Sequence, residues 1–173
     1  MQLVSGKEAV QRVGNILNAK HQVHAYAVDL TARQIFRLDP TGTVDFGGSE
    51  YVAAERHPMP THQKHSQDRY QWWTLPHGAY MVEFNETVEL AEDELGLLAP
   101  HERLLRAGAE FPPQYLRGPH NPLSSLLNVS CVQVQIKQNA RVATLRVFRL
   151  GGVAKAAKAS APAKKAAAGK KRK

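Results

Sequence analysis

The segment Pro100-His101-Glu102-Arg103-Leu104-Leu105-Arg106 places two arginines three residues apart behind a histidine and an acid, and the corner Pro112-Pro113-Gln114-Tyr115 follows shortly after. Cations at that spacing, next to turn residues, form the wall of an anion site. Arg103 and Arg106 are its candidate anion contacts. The structural readings are Arg106 as the partner of Glu86 or Glu89, Tyr115 as a core aromatic, and Glu102 as half of a solvated salt bridge. Glu110 is the last carboxylate side chain in the sequence, so any catalytic acid comes from the first 110 residues.

Other reactive side chains point to less. His57, His62 and His65 fall in a polar segment over 55–71, where no cysteine or acid arrangement completes a zinc set, and the expectation is a solvated loop without a metal site. The single cysteine, Cys131, lies in the apolar run LLNVSCVQVQI and cannot form an intrachain disulfide. It is expected as a buried structural thiol in a reducing compartment.

These residues must be carried by short elements. Ser5-Gly-Lys-Glu8 matches a capping box, and Ala9, Val10, Val13, Ile16 and Leu17 recur at helical spacing, predicting a helix over 6–17. HQVHAYAVDLTARQIFRL reads as one or two strands ending at an Asp39-Pro-Thr-Gly42 turn. From Trp72 to Leu98, short β-type segments are expected between the Pro76-His-Gly78 and Ala91-Glu-Asp-Glu94 turns. Trp72 and Trp73 then serve barrel packing or an interface patch. Leu126–Ile136 and Ala140–Leu150 read as two strands closed by a tight hairpin at Lys137-Gln-Asn139. Arg141 stands at that hairpin, as a surface or subunit-contact residue or as a ligand contact. Several short strands with one clear helix imply a mostly β barrel or sandwich.

Charge divides the chain. Residues 151–173 hold eight of the 23 Lys/Arg and no acid, which leaves residues 1–150 with 15 bases and 15 acids. The first 150 residues are therefore expected as one domain, and 151–173 as a disordered Ala/Lys-rich basic tail. Such a tail either attracts nucleic acid without sequence preference or adds solubility. It lacks aromatics for base stacking. No signal-peptide-like stretch and no apolar run long enough to span a bilayer is present, so a soluble cytoplasmic protein without membrane association is expected.

Taken in order, Val28-Asp29-Leu30-Thr31, Asp45-Phe46, Gly78-Ala79-Tyr80, Glu86-Thr-Val88, Gly96, Pro100, Leu104-Leu105-Arg106, Gly108-Ala109, Asn139-Ala140-Arg141 and Val147-Phe148 resemble the dUTPase and dCTP deaminase superfamily, most of all its archaeal-type dUTPase branch. The resemblance covers most of residues 4–149. It implies a mostly β fold, a dUTPase-like distorted β-barrel of the β-clip type with one short N-terminal helix. It also implies a homotrimer with sites between subunits and a deoxynucleoside triphosphate bound with Mg²⁺. Arg103, Arg106, Tyr115, Arg141 and Thr144 become nucleotide-binding candidates, Tyr115 against the sugar, and Glu102 the candidate catalytic acid.

The departures bear on activity. His101-Glu102-Arg103 stands where the family has Arg-Ser-Ser, replacing phosphate-binding hydroxyls with a carboxylate. Like charges at about 4 Å cost about 1 kcal/mol in bulk water and about 4 kcal/mol at an effective dielectric of 20. Pro112 stands where dUTPases have the aspartate that orients the attacking water, and Thr144 replaces a glutamine. The deaminase glutamate has no counterpart beyond Glu110. Two functions therefore stay open: a dUTPase releasing dUMP and pyrophosphate, or a catalytically silent nucleotide-binding or assembly protein with a nucleic-acid-associating tail. dCTP deamination ranks last.

Overall fold

Residues 1–39 and 41–151 are described by a computed structural model of the chain. The basic tail expected over 151–173 lies, apart from Gly151, outside the described residues. Twelve strands and three short helices follow in order: β1 Gln2–Leu3, α1 Gly6–Ala9, β2 Val13–Gly14, α2 Ala19–Gln22, β3 Val28–Leu38, β4 Arg56–Pro58, β5 Trp72–Phe84, β6 Thr87–Glu89, β7 Glu94–Pro100, α3 Glu102–Arg106, β8 Ala109–Glu110, β9 Gln114–Leu116, β10 Pro119–His120, β11 Ser124–Lys137 and β12 Arg141–Arg149. The expected mostly β class is what forms. Nine strands make one antiparallel sheet in the order β8-β11-β5-β3-β12-β7-β9, with β1 and β4 as additions, while β10, β6 and β2 form a second, smaller sheet.

The large sheet curls because two of its members change partners or bend. β3 pairs through Val28–Thr31 with β12 and through Ala32–Arg37 with β5, with register shifts on both sides of that switch. β5 and β11 pair along almost their whole length around a bulge between Val129 and Gln133. Gln138 N–H donates to the Gln71 carbonyl and Asn139 N–H to the Ala32 carbonyl, while Ala32 also pairs with Phe84. Both ends of β5 therefore return to the same point of β3, the closure of a distorted barrel. Trp73, Leu75, Phe84, Leu98, Leu127 and Leu145 fill the interior, and Phe111 meets Phe84 edge to face at 6.3 Å between ring centroids.

Several local expectations are corrected. The N-terminal helix is one turn, Gly6–Ala9, followed by a 3-10 turn over Val10–Arg12. Ser5 caps it, but Val13 leaves the helix to pair with Val88, and Asn15 adopts φ +59°. The pairing of β2 overrides a helical spacing carried by β-branched residues. Two unforeseen short helices, α2 and α3, flank the site described below. Pro76-His77-Gly78 is not a turn between strands. β5 passes through it, with Gly78 at φ +149° opposite the β11 bulge.

β11 and β12 are consecutive but unpaired, so Lys137-Gln-Asn139 is a crossing and not a hairpin: β11 pairs with β5 and β8, β12 with β3 and β7. Cys131 is half-buried, not buried. It sits in the bulge with its thiol toward the Ala107 and Gln133 carbonyls and presses on Gly108, whose φ is +89°.

Candidate functional site

Asp29 organises the site. It enters β3 directly after a four-residue turn, His24 to Ala27, closed by the His24 N–H donating to the Ala27 carbonyl at 2.9 Å. Val28, Leu30 and Ala32 bury their side chains along one face of β3, and Asp29, between them, is buried too, 2% exposed. A buried carboxylate needs donors, and three side chains supply them, with the His101 imidazole close by. Thr144, its cross-strand partner on β12, donates its hydroxyl to Oδ1 at 2.9 Å. Oδ2 lies 2.8 Å from His24 Nε2, 3.2 Å from His101 Nε2 and 3.1 Å from Arg141 Nη1.

Each of these groups is held by its own element. Arg141 starts β12 and also donates to the His21 carbonyl at 2.7 Å. His101 caps α3: its Nδ1 accepts from the Arg103 N–H at 3.0 Å, and its backbone N–H donates to the Val142 carbonyl at 2.9 Å. With Nδ1 accepting, Nε2 carries the ring proton, 3.2 Å from Asp29 Oδ2.

Behind Asp29 is a second buried carboxylate. Glu86 is fully buried and accepts from Gln22 Nε2 at 2.6 Å and from both the N–H and the hydroxyl of Thr31 at 2.8 Å. Gln22 also donates to the Asp29 carbonyl at 2.9 Å, so α2 links the two acids. Burial outweighs these donors and raises the Glu86 carboxyl above its ordinary range.

A cavity of about 380 Å³ opens on Asp29, lined by His24, Ala27, Pro100, His101, Glu102, Leu105, Thr144 and Arg146. A second, also about 380 Å³, lies on the other side of α3 and is lined by Arg103, Leu104, Arg141, Lys137, Trp72 and the apolar end of β11. The sequence-derived candidates thus divide. Glu102 and Thr144 line the first cavity, Arg103 and Arg141 the second, and Arg141 reaches through to Asp29. Arg106 forms an ion pair with Glu102 one turn earlier in α3, both side chains largely exposed, and not with Glu86 or Glu89. Tyr115 lies apart on β9, beside Leu97 of β7, and is 74% exposed, so it is no core aromatic.

Three participants went unread in the sequence: His24, Arg146, and the role of His101 as a cap beside Asp29. His101 and Asp29 were both in view as single positions, but their contact depends on β12 lying between their elements. His24 gave no signal in its spacing. Elsewhere, at the far end of β3, His57 lies 3.0 Å from Asp39, and with Glu55 they hold three ligand-type atoms within 4.8 Å of one another. Glu55 is two residues from His57 in sequence, and Asp39 is brought to both by the β3–β4 pairing.

The Asp29 cavity does not form a resident Mg²⁺ centre. Mg²⁺ takes six oxygen ligands and is held by carboxylates that can face it. Both Asp29 oxygens already accept from side chains, three in all, and Glu102 is paired with Arg106.

A curled antiparallel sheet of this kind is a fold the chain shares with a solved dCTP deaminase, and in sequence the chain is similar to archaeal dUTPases. It is 27% identical over 138 residues to the probable deoxyuridine 5′-triphosphate nucleotidohydrolase of Methanosarcina acetivorans, covering 79% of this chain and 77% of that protein. To the protein of the same description from Archaeoglobus fulgidus it is 27% identical over 163 residues, covering 90% and 92%. The crystal structure of 2′-deoxycytidine 5′-triphosphate deaminase from Agrobacterium tumefaciens shares the fold, with a TM-score of 0.62 at 15% identity over 87% of this chain; the chain spans 47% of the deaminase. No protein-family model matches. Among the described residues no helix is long and apolar enough to cross a membrane.

Proposed function

We propose that the protein binds a deoxynucleoside triphosphate in the Asp29 cavity and hydrolyses dUTP to dUMP and pyrophosphate. The convergence of the Thr144 hydroxyl, the two imidazoles and Arg146 on one cavity carries this reading. Arg146 offers donors and positive charge to a polyanion. Asp29, which would repel phosphate if bare, is covered by the Thr144, His24 and Arg141 donors. Mg²⁺ enters as part of the substrate, on the triphosphate, and Arg103 and Arg106 extend the cationic wall along α3.

Tyr115 supports a site shared between copies. It is exposed and lines neither cavity, as expected if it packs on the deoxyribose of a neighbouring subunit's nucleotide in a homotrimer. The basic tail adds nonspecific nucleic-acid attraction, and the setting is cytoplasmic nucleotide metabolism.

The test is incubation of purified protein with dUTP, dCTP and dTTP, with and without Mg²⁺, following pyrophosphate and ammonia. Mg²⁺-dependent pyrophosphate release selective for dUTP supports the reading. Ammonia from dCTP replaces it with deamination. A second reading, nucleotide binding without turnover, is favoured by Pro112, which has no side chain to orient water. Silence together with measurable nucleotide binding selects it.

A further inference from the structure

We infer that His24, oriented by Asp29, is the general base of the site and takes the role that Pro112 cannot fill. This rests on the hydrolase reading above. Four side chains lining the Asp29 cavity can accept a proton: His24, Asp29, His101 and Glu102. Asp29 has both oxygens occupied by donors. His101 has Nδ1 accepting from the Arg103 N–H, which leaves the ring proton on Nε2, 3.2 Å from Asp29 Oδ2. Glu102 is held by Arg106 at the surface.

His24 is different. Its Nε2 donates to Asp29 Oδ2 at 2.8 Å, which leaves the Nδ1 lone pair free, and among the described residues Nδ1 has no hydrogen-bond partner. Its side chain is 48% exposed at the cavity, while the carboxylate behind it is 3% exposed. A buried carboxylate fixing one ring nitrogen so that the other can accept a proton is the arrangement by which imidazole serves as a base.

The step balances with water alone. Nδ1 takes a proton from water as its oxygen bonds to the α-phosphorus of dUTP. The bond from that phosphorus to the bridging oxygen breaks, and pyrophosphate leaves with the bond's electron pair. The imidazolium, stabilised by Asp29, then returns its proton to solvent.

Charged groups on the surrounding elements are Lys7 and Glu8 on α1, Lys20 and His21 on α2, Asp29 on β3, His101 and Glu102 at α3, and Arg141 and Arg146 on β12. Only His21 and His101 share imidazole chemistry with His24, so a variant confined to His24 isolates its titration.

The test is the pH profile of pyrophosphate release from Mg²⁺·dUTP for the wild type and for His24→Gln, which keeps a donor toward Asp29 but has no basic lone pair. A base predicts a wild-type kcat that rises with pH along a single limb. In His24→Gln, kcat is expected to fall about 10²–10⁴-fold, with the rising limb lost and KM little changed. Added imidazole should restore part of the activity of His24→Gly. Binding of the nonhydrolysable α,β-imido analogue of dUTP reports folding and site integrity separately.

If wild type turns over dUTP and His24→Gln keeps its rate and limb, the base assignment is overturned while the hydrolase reading stands. A wild-type rate that falls as pH rises would make His24 a phosphate-binding cation instead, again overturning it. If wild type releases no pyrophosphate, the hydrolase reading fails and the inference with it.

Discussion

Gly6 and His24 meet backbone to backbone: a Cβ on residue 6 would stand 1.8 Å from the His24 carbonyl oxygen and 3.0 Å from that of Ala27. The Gly6 N–H donates to the Ala25 carbonyl at 2.8 Å, so α1 is docked on the turn that presents His24. A backbone carbonyl cannot rotate aside as a side chain can. Gly6→Ala is therefore expected to cost about 1–3 kcal/mol, toward the upper end of what overpacking does. Urea unfolding midpoints measure the loss. Because the turn must shift, any dUTP turnover should fall further than stability alone explains.

Arg12 and Glu94 give a second, opposite kind of dependence. The guanidinium grips the carboxylate with two bonds of 2.8 and 3.0 Å, joining the 3-10 turn after α1 to the start of β7, and Glu94 is 2% exposed. The hydrogen bond from Arg12 holds the Glu94 carboxyl below its ordinary range. A depressed carboxyl stabilises the fold above its unfolded value, about 4.3, and that contribution is lost as pH falls through the folded value. Arg12→Met leaves a buried, unpaired acid and is expected to cost about 2–3 kcal/mol at neutral pH, below the 3–5 of fully buried pairs because Arg12 keeps some solvent contact. The variant should lose less on acidification than the wild type.

Glu86 runs the other way. Its carboxyl is raised by burial, so the folded state holds the proton more tightly than the unfolded chain. Its stabilising contribution is present below about pH 4.3, the unfolded value, and declines as pH rises to and through the folded one. Thermal midpoints of Glu86→Gln, measured across that interval, should be flatter on the alkaline side than those of the wild type. Equal slopes in the two proteins would mean that Glu86 titrates as it does unfolded.

The tail prediction uses sequence alone. Residues 151–173 hold eight cations, while residues 1–150 are formally neutral. Log affinity of the full chain for duplex DNA should fall linearly with log salt, by about 0.9 per phosphate neutralised. Truncation after Leu150 should abolish that binding. Unchanged affinity at low salt dismisses the electrostatic role.

What could be read in advance follows physical range. β3, β5, β7, β11 and β12 were legible because β-branched and apolar residues mark a strand whatever it pairs with. Their partners were not legible. Asn139 at φ +64° announces a chain reversal, yet nothing local tells β11 to pair with β5 instead of β12. Thr144 and Arg141 could be named from the motif they occupy, whereas the Asp29 contacts that define their geometry cross 112 and 115 residues of sequence. His24 stayed hidden for a further reason. Its partner is only five residues away, but the contact exists only when the 24–27 turn closes against Gly6.

Thr144 offers the sharpest separation of structure from chemistry at the site. Its hydroxyl donates to Asp29 Oδ1, while the two other donors, His24 and Arg141, act on Oδ2. Thr144→Val keeps the volume but leaves one oxygen of a buried carboxylate without a donor. Hydrogen bonds to charged groups contribute about 1.5–3 kcal/mol, and a loss of that size is expected in chemical denaturation. Thr144→Ser retains the hydroxyl and should recover most of it. If Oδ1 also depends on Thr144 to keep Asp29 turned toward His24, Thr144→Val should lower kcat for dUTP as well, with Thr144→Ser near wild type in both measurements. A stability loss equal in the two variants would assign the effect to the β12 backbone and not to the hydroxyl.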